Sequence, residues 1–368
     1  MNAHLVPSKT VFVAAAGTGG HIMPGLAVAA ELHAQGCAVQ WLGTAHGMEN
    51  KLVPAAGIAL HGLRFAGLRG KGWLGMVRGA WQLLGAVFTA RALLKTHGAG
   101  VVVGMGGYVC VPVAWAARSL GVPLVLVNAD ADLLLSNKTL AAQAMTLCCG
   151  FAGSAAQLPN AQVTGNPVRA AVAAIDAPEV RFARRSGAMQ LLVVGGSLGA
   201  QVLNETLPAA LALLPAEHFE VLHQTGVAAV ARTQAAYAQA GVAAQVLPFI
   251  DDMASAYAQA DVVVCRAGAI TVSELCAAGV PAVLVPFLAS TTRHQAGNAA
   301  YLQKHGAGIH LPQSQLTPQQ LADVLQNLSR QRLLAMAQAA RQLGRANATA
   351  AVVQAVLKAA QWNSKVQR

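Results

Sequence analysis

The sequence predicts an α/β protein of two doubly wound, Rossmann-like parallel-sheet domains, and three observations predict it. First, Asp261 to Pro286 reads DVVVCRAGAITVSELCAAGVPAVLVP. Val262 to Val264 is an apolar, β-branched run, the mark of a buried strand. Gly268 breaks it. Thr271 precedes Glu274 by three residues, the spacing of a capping box at a helix start. Gly279 stands where a left-handed C-cap is expected, and Pro281 stops the helix. Ala282 to Val285 is a second apolar strand. Such a βαβ unit places its loop at the carboxyl end of a strand, where open α/β sheets bind ligands. Second, the segment from Val101 to Val127 has the same layout: strand, Gly104-Met105-Gly106-Gly107-Tyr108, helix, Gly121-Val122-Pro123, strand. Third, each half opens with a strand running into a glycine loop, Gly17 to Gly20 and Gly195 to Gly199. The parallel is a topological hint rather than a sequence repeat.

Taken in order, the opening MNAHLVPSKT lacks the basic start and apolar core of a signal peptide. Thr10 to Ala16 is the first strand. Gly17-Thr18-Gly19-Gly20-His21 follows, then an alanine-rich helix to about His33. This is not the dinucleotide fingerprint. The third glycine of G-x-G-x-x-G would fall at Ile22, and no acidic residue ends the second strand near Trp41 to Thr44. A nicotinamide dehydrogenase is thereby disfavoured. His21 suits a general base, because imidazole titrates near neutrality. The alternative is a histidine that only hydrogen-bonds its own loop.

Gly67-Leu68-Arg69-Gly70-Lys71-Gly72 opens a segment carrying Trp73, Leu74, Met76, Val77, Trp81, Leu84 and Phe88. Arg69, Lys71 and Arg78 are interleaved. Apolar bulk beside cations is the pattern of an interfacial helix on anionic lipid. A buried helix with snorkelling arginines is the other reading. The longest apolar run, Gly79 to Ala90, is shorter than the roughly 18 residues of a spanning helix.

Thr164-Gly165-Asn166-Pro167-Val168-Arg169 is turn-rich and marks a domain junction. A guanidinium at Arg169 suits a diphosphate, or a hinge held by a surface carboxylate. Gln190 to Val194 is the first strand of the second half. The small residues of Gly195 to Ala200 let backbone amides approach phosphate, and Ser197 adds a hydroxyl. Asp251 and Asp252 cap a helix rather than ligate metal. No metal or other cofactor is expected. An ionised Glu274 accepts two hydrogen bonds at once, and a ribose diol offers two donors side by side. Amides around Gly268 and Ala269 suit a phosphate. The plainer alternative has Glu274 capping its own helix. Helices dominate from Thr317, and the last runs from about Ala348 to Trp362.

Composition narrows the classes. The 368 residues suffice for two ordinary domains. Hydrophobic residues make up 55% and charged ones 11%, against disorder. The formal charge of +11 fits nucleic acid, anionic lipid or a phosphorylated substrate, but an aromatic content of 5% argues against base stacking. The six cysteines show no CxxC pair and read as reduced thiols.

Several of these strings resemble one family. RAGAITVSE followed by AAGVPAVLVPF looks like the donor-nucleotide signature of the bacterial lipid II-forming N-acetylglucosaminyltransferases, the MurG family. GTGGHIMPGLAVAAEL resembles its acceptor-side loop. GLRGKG, TGNPVR and the His294-Gln295 and Asn298-Ala299 pairs are similar to further family strings, so the resemblance spans about residues 10 to 360. It implies GT-B architecture, with the loops of two domains facing a shared cleft. It implies inverting transfer of GlcNAc from UDP-GlcNAc to the muramyl 4-hydroxyl of undecaprenyl-pyrophosphoryl-MurNAc-pentapeptide. It places the enzyme peripherally, on the anionic inner leaflet at the cytoplasmic face of the cell membrane, with no nucleic acid partner.

By the same resemblance His21 is the candidate base. Thr18, Gly19, Gly20, Asp130, Arg169 and Ser197 belong to the UDP-GlcNAc site. The backbone of Ile250 reads the uracil edge. Ala269, Ile270, Thr271, Val272, Ser273 and Glu274 form the donor signature, and Gln295 takes GlcNAc hydroxyls. Tyr108, Arg69, Lys71, Trp73 and Trp81 lie on the acceptor and membrane side. The implied domains are 1–165, 166–345 and a C-terminal helix, 346–368, returning to the first. The chain departs from the pattern in three places. Val127-Asn128-Ala129-Asp130 replaces a His-Glu-Gln-Asn run, which puts Asp130 or, through a local shift, Asn128 at the donor position. Leu198 stands where the family has Gln, and Leu288 to Thr292 diverges. A UDP-GlcNAc 2-epimerase or macrolide-type glycosyltransferase is the alternative within the fold. A basic nucleic-acid or lipid-binding module without catalysis is the alternative outside it.

Overall fold

The computed structural model describes residues 10–17, 19–65, 73–196, 198–287 and 294–360, and at 73–77 and 154 the backbone alone. The chain forms two compact units, residues 1–167 with 347–368, and residues 168–346.

The first unit holds a seven-stranded parallel sheet: β1 (Thr10–Ala14), β2 (Val39–Thr44), β3 (Ala59–Leu63), β4 (Ala99–Gly104), β5 (Leu124–Asn128), β6 (Thr146–Cys149) and β7 (Ala161–Val163). Their order is β3-β2-β1-β4-β5-β6-β7. Strands buried on both faces read as continuous apolar runs rather than alternating ones. The alternation survives in what each face meets. Val11, Val13, Val101, Val103, Val125 and Val127 pack with Ile22, Val28 and Leu32 of helix α1 (Gly19–Ala34). Phe12, Ala14, Val102, Leu124 and Leu126 face the other way, toward Ala90 and Leu94 of α3 (Trp73–Thr96) and Val113 of α4 (Cys110–Ser119). Between them in sequence lies the short helix α2 (Glu49–Ala55). The helix Ala348–Ala359 lays Val352, Val353 and Val356 against the same face as α1. The chain thus returns to the first sheet after building the second unit.

The second unit holds six parallel strands: β8 (Met189–Val194), β9 (Phe219–Gln224), β10 (Gln245–Leu247), β11 (Val262–Cys265), β12 (Ala282–Leu284) and β13 (Gly308–His310). Their order is β10-β9-β8-β11-β12-β13. In register, Val264 lies beside Val193 of β8 and Val283 of β12. Leu191, Val193, Val264 and Val283 share a core with Leu203, Leu207, Leu321 and Leu333 from the covering helices.

Two helix-terminus expectations fare differently. Gly279 adopts φ 62° and ψ 55°, the left-handed C-cap the sequence predicts. The capping box does not form. The helix starts at Ala269, with Gly268 as N-cap and no side-chain cap bond. Gly268 is extended at ψ 141°, and its carbonyl accepts from the Val272 amide at 2.9 Å, closing the first turn before Thr271 can cap it. Glu274 therefore lies in the second turn, too far along to reach the N-terminus. By contrast, Asp252 does cap its helix, accepting from the Ser255 amide at 2.9 Å.

Close approach fixes one helical glycine. A Cβ on Gly25 of α1 would sit 2.6 Å from Trp41 Cη2 and 3.3 Å from Met105 Cγ. Trp41 cannot yield easily, because it is fully buried and its indole N–H donates to the Ala15 carbonyl at 2.9 Å. Gly25→Val should destabilise the first unit by about 1–3 kcal/mol through overpacking. Urea unfolding followed by tryptophan fluorescence measures this.

Candidate functional site

In the first unit the strand order reverses between β1 and β4, so the loops leaving their carboxyl ends stand side by side. This is where an open α/β sheet binds its ligand. The loops are stitched together: the Met105 amide donates to the Ala14 carbonyl at 2.9 Å, and the Cys110 thiol reaches the same carbonyl at 3.3 Å. Gly19, Gly20 and His21 form the first turn of α1. The His21 ring lies against Gly106 and Gly107, whose φ values are 103° and 85°. A Cβ on Gly106 would stand 2.8 Å from His21 Cδ2 and 2.9 Å from Nε2. Only glycine at 106 satisfies both the backbone and the imidazole. Tyr108 is 38% exposed and meets Phe65 edge-on, with ring centroids 5.7 Å apart.

One residue of this region escaped the sequence reading. Glu49 is fully buried, and no salt-bridge cation accompanies it among the described residues. The Gly17 amide donates to Oε2 at 3.2 Å. The Thr44 amide and hydroxyl donate to Oε1 at 3.1 and 2.6 Å. Burial pushes its carboxyl up, but the Thr44 hydroxyl, its own amide and the amides of Thr44 and Gly17 outweigh that and hold it below the usual range. The only sequence signal was an acidic residue opening α2 shortly after β2.

The second unit repeats the plan, with the reversal between β8 and β11. After β8, Gly199 has φ 76°, and a Cβ there would collide with the Thr225 carbonyl. That carbonyl also accepts from Asn204 Nδ2 at 3.1 Å. The buried His223 joins Asn204 Oδ1 at 3.1 Å to the Tyr237 hydroxyl at 2.9 Å, and Gln224 donates to the Gly196 carbonyl at 3.0 Å. After β11 comes the N-terminus of the helix Ala269–Ala278, with Ala269, Ile270 and Thr271 half-buried.

On that helix Glu274 is 6% exposed and held by a residue far away in sequence. Arg169 Nε donates to Oε1 at 2.8 Å and Nη2 to Oε2 at 2.9 Å, a side-on bidentate pair. The Tyr257 hydroxyl adds a third donor to Oε2 at 3.4 Å. The carboxylate that the sequence matched to a ribose diol and the guanidinium it matched to a diphosphate therefore bind each other. The helix-capping alternative for Glu274 is excluded by this geometry.

The chain matches the glycosyltransferase family 28 N-terminal domain over residues 11–147 and the family's C-terminal domain over residues 190–355. It is 58% identical to the UDP-N-acetylglucosamine–N-acetylmuramyl-(pentapeptide) pyrophosphoryl-undecaprenol N-acetylglucosamine transferase of Chromobacterium violaceum, over 94% of this chain and 97% of the relative. The chain belongs to glycosyltransferase family 28. An equally named relative from Herminiimonas arsenicoxydans is 55% identical, over 95% and 98% of the two chains. The crystal structure of Acinetobacter baumannii MurG superposes with a TM-score of 0.83 at 39% identity, covering 95% of this chain and 99% of that protein. These matches make the two sheets the Rossmann-like domains of the GT-B class. A UDP-N-acetylglucosamine 2-epimerase structure matches with a TM-score of 0.63 at 15% identity, covering 97% of each chain, which shows shared fold alone.

The remaining family 28 positions fall as follows. Asp130 is half-buried in the loop after β5. Asn128 does not take over its place. It is fully buried, donates to the carbonyls of Asp130 and Asp132 at 2.8 and 3.0 Å, and accepts from the Leu134 amide at 2.9 Å. The side chain is committed to shaping the loop. Ile250 follows β10 and is 7% exposed. Val272 is fully buried, and the Ser273 hydroxyl donates back to the Ala269 carbonyl at 2.8 Å. Gln295 opens the helix His294–Lys304 and accepts from the Phe287 amide at 2.9 Å. Its neighbour Asn298 is buried and donates to the Ala267 carbonyl at 3.0 Å, tying this helix to the loop after β11. Thr18, Arg69, Lys71, Ser197 and the divergent 288–292 lie outside the described residues, as does the Trp73 side chain, whereas Trp81 is 72% exposed on α3. Among the described residues no group of His, Cys, Asp and Glu is arranged to hold a metal. All six cysteines are buried and unpaired.

The buried histidine behind the Gly195–Gly199 loop gives a pH prediction. Burial pushes the His223 imidazole down to about 4. Its unfolded value is near 6.5, so the unfolded chain binds the extra proton first as pH falls. Stability should be full above about 6.5 and decline toward 4, by an order of 2–3 kcal/mol. Denaturant unfolding from pH 7 to 4 checks this, and His223→Gln should show a shallower slope.

Proposed function

We propose that this chain transfers GlcNAc from UDP-GlcNAc to the 4-hydroxyl of the muramyl sugar of undecaprenyl-pyrophosphoryl-MurNAc-pentapeptide, converting lipid I to lipid II. The observation that carries the reading is the near full-length identity to relatives of that activity. The second unit takes the donor. Its strand-end amides at Gly195–Ala200 and Gly268–Ile270 suit the diphosphate, as helix N-termini do for anions. Ile250 offers its backbone to uracil, and Gln295 faces the sugar hydroxyls.

Glu274 then clasps the ribose diol. An ionised carboxylate offers about four lone-pair sites, and Arg169 and Tyr257 occupy most of them. Diol binding therefore displaces Arg169, whose side chain is 42% exposed and can swing out. The displaced guanidinium meets the diphosphate. The first unit presents the acceptor, whose hydroxyl attacks C1 in one inverting displacement. His21 accepts the proton of that hydroxyl as the bond from C1 to the diphosphate breaks. Electrostatic stabilisation of the departing UDP comes from the helix N-termini and Arg169.

Substrate lipid implies a membrane surface. Trp81, Leu84 and Phe88 are 72%, 47% and 69% exposed, and the spacing i, i+3, i+7 puts them on one face of α3. Arg78 is exposed one turn earlier. Among the described residues no helix is long and apolar enough to cross a membrane. The stripe suits shallow insertion into an anionic leaflet at the cytoplasmic face.

Two tests follow. Labelled UDP-GlcNAc and a lipid I analogue should give labelled lipid II, and His21→Ala should lower kcat by about 10²–10⁴-fold. No product with the wild type rejects the function; near-normal kcat in the variant rejects the base. Sedimentation with anionic liposomes should fall with added salt and with Trp81→Glu. Binding indifferent to both rejects the membrane face.

A further inference from the structure

Glu49 touches no substrate group in the mechanism above, yet it is fully buried and bonds to Gly17, four residues before His21. Its side chain runs beneath the turn from β1 into α1, 32 residues away in sequence, and ends on the Gly17 amide. The chain around it is shaped to let it pass. A Cβ on Gly47 would collide with the carboxylate, and one on Gly43 would lie 2.9 Å from Glu49 Cγ. Asn50 fastens the same turn, donating from Nδ2 to the carbonyls of Thr44 at 3.1 Å and Gly47 at 3.3 Å. Uncompensated burial of a charge is costly, and an apolar side chain of similar volume would serve packing better. The carboxylate is held instead by a set of donors, and one of them belongs to the loop that carries His21.

We propose that Glu49 is a positioning residue for the transfer: by anchoring the Gly17 amide it fixes the turn that sets His21 against Gly106. The inference rests on the transfer reading above. Gly17 has φ 96° and lies between β1 and α1, which starts at Gly19, so Gly17 is a pivot between them. The first turn of α1 carries His21 four residues beyond this pivot. A rotation at Gly17 moves the imidazole off the Gly106–Gly107 surface, and a shift of about 1 Å at a reacting group can cost on the order of 10²-fold in rate. The Thr44 amide and hydroxyl hold the other oxygen, so β2 serves as the fixed end of the strut.

Glu49→Gln is the sharpest probe. It is nearly isosteric, but one of its two terminal groups is a donor and must face either the Gly17 amide or the two Thr44 donors. The expected result is a fall in kcat of about 10- to 100-fold. KM for UDP-GlcNAc should change less than kcat, because Arg169, Ile250, Ala269 to Glu274 and Gln295 of the donor site lie in the other unit, and only Thr18, Gly19, Gly20 and Asp130 belong to this one. The ¹H–¹⁵N resonance of Gly17 should move, and its amide should exchange faster. Unchanged kcat in a folded variant overturns the proposal. So does a rise in donor KM that accounts for the whole loss. Where Glu49→Gln does not fold, Glu49→Asp, charged but one methylene shorter, replaces it and should show the same split. If neither folds, Glu49 is a stability residue and the positioning role is rejected. Wild-type protein inactive in the same assay rejects the transfer reading instead, while the Gly17 resonance still reports whether Glu49 holds that amide.

Discussion

Parallel strands must all end on the same edge of a sheet, and that constraint decides where every candidate residue of this chain can stand. Where the strand order reverses, neighbouring loops diverge to opposite faces and leave a gap lined with backbone amides. The chain does this twice, at β1/β4 and at β8/β11. The glycines follow from it. Gly106 and Gly199 lie in such loops, at positive φ, each with an atom pressed on the position a side chain would take. Small residues there are what let one loop lie on the next.

Much of this was legible in the sequence, and for a physical reason. A strand buried on both faces is a run of β-branched residues, and a helix end needs glycine or proline, so Val262–Val264, Gly279 and Pro281 announce themselves. What was lost is whatever depends on a partner far along the chain. Thr271 and Glu274 have capping-box spacing, but the cap depends on where the chain turns, and extended Gly268 turns it three residues earlier. Glu274 then meets Arg169, 105 residues away. No local pattern could pair them. Asn128 likewise looks like a substitute donor ligand on paper, and its burial under four hydrogen bonds removes it.

The buried acids show how little a formal charge of +11 says about a site. Asp261 is fully buried near Arg185 and Arg330 at 3.3 and 3.7 Å, and it also accepts from the Gln190 amide at 2.8 Å. It pins the entry to β8 and β11 at the edge opposite the loops, a structural use. Among the described residues Glu49 is satisfied by neutral donors, the Gly17 amide and the amide and hydroxyl of Thr44. Glu274 has a cation, but one that reaches it from a half-exposed position. The three acids differ in what their partners can do next: stay, stay in one geometry, or leave.

That last difference bears on how a nucleotide could be gripped without first breaking the site. A fully buried ion pair would cost several kcal/mol to open, because one charge would be stranded. Arg169 is 42% exposed, so water can solvate the guanidinium when it leaves. Glu274, at 8%, cannot follow it out, so the carboxylate stays in place when the guanidinium goes. In the proposed donor complex, two hydroxyls arriving at Glu274 would replace the bonds it loses, and a diphosphate nearby would take up Arg169. On the proposed mode of donor binding, each partner would exchange one set of hydrogen bonds for another. A lysine at 169 would hold the acid through a single point contact and would lose the planar fork that serves both states.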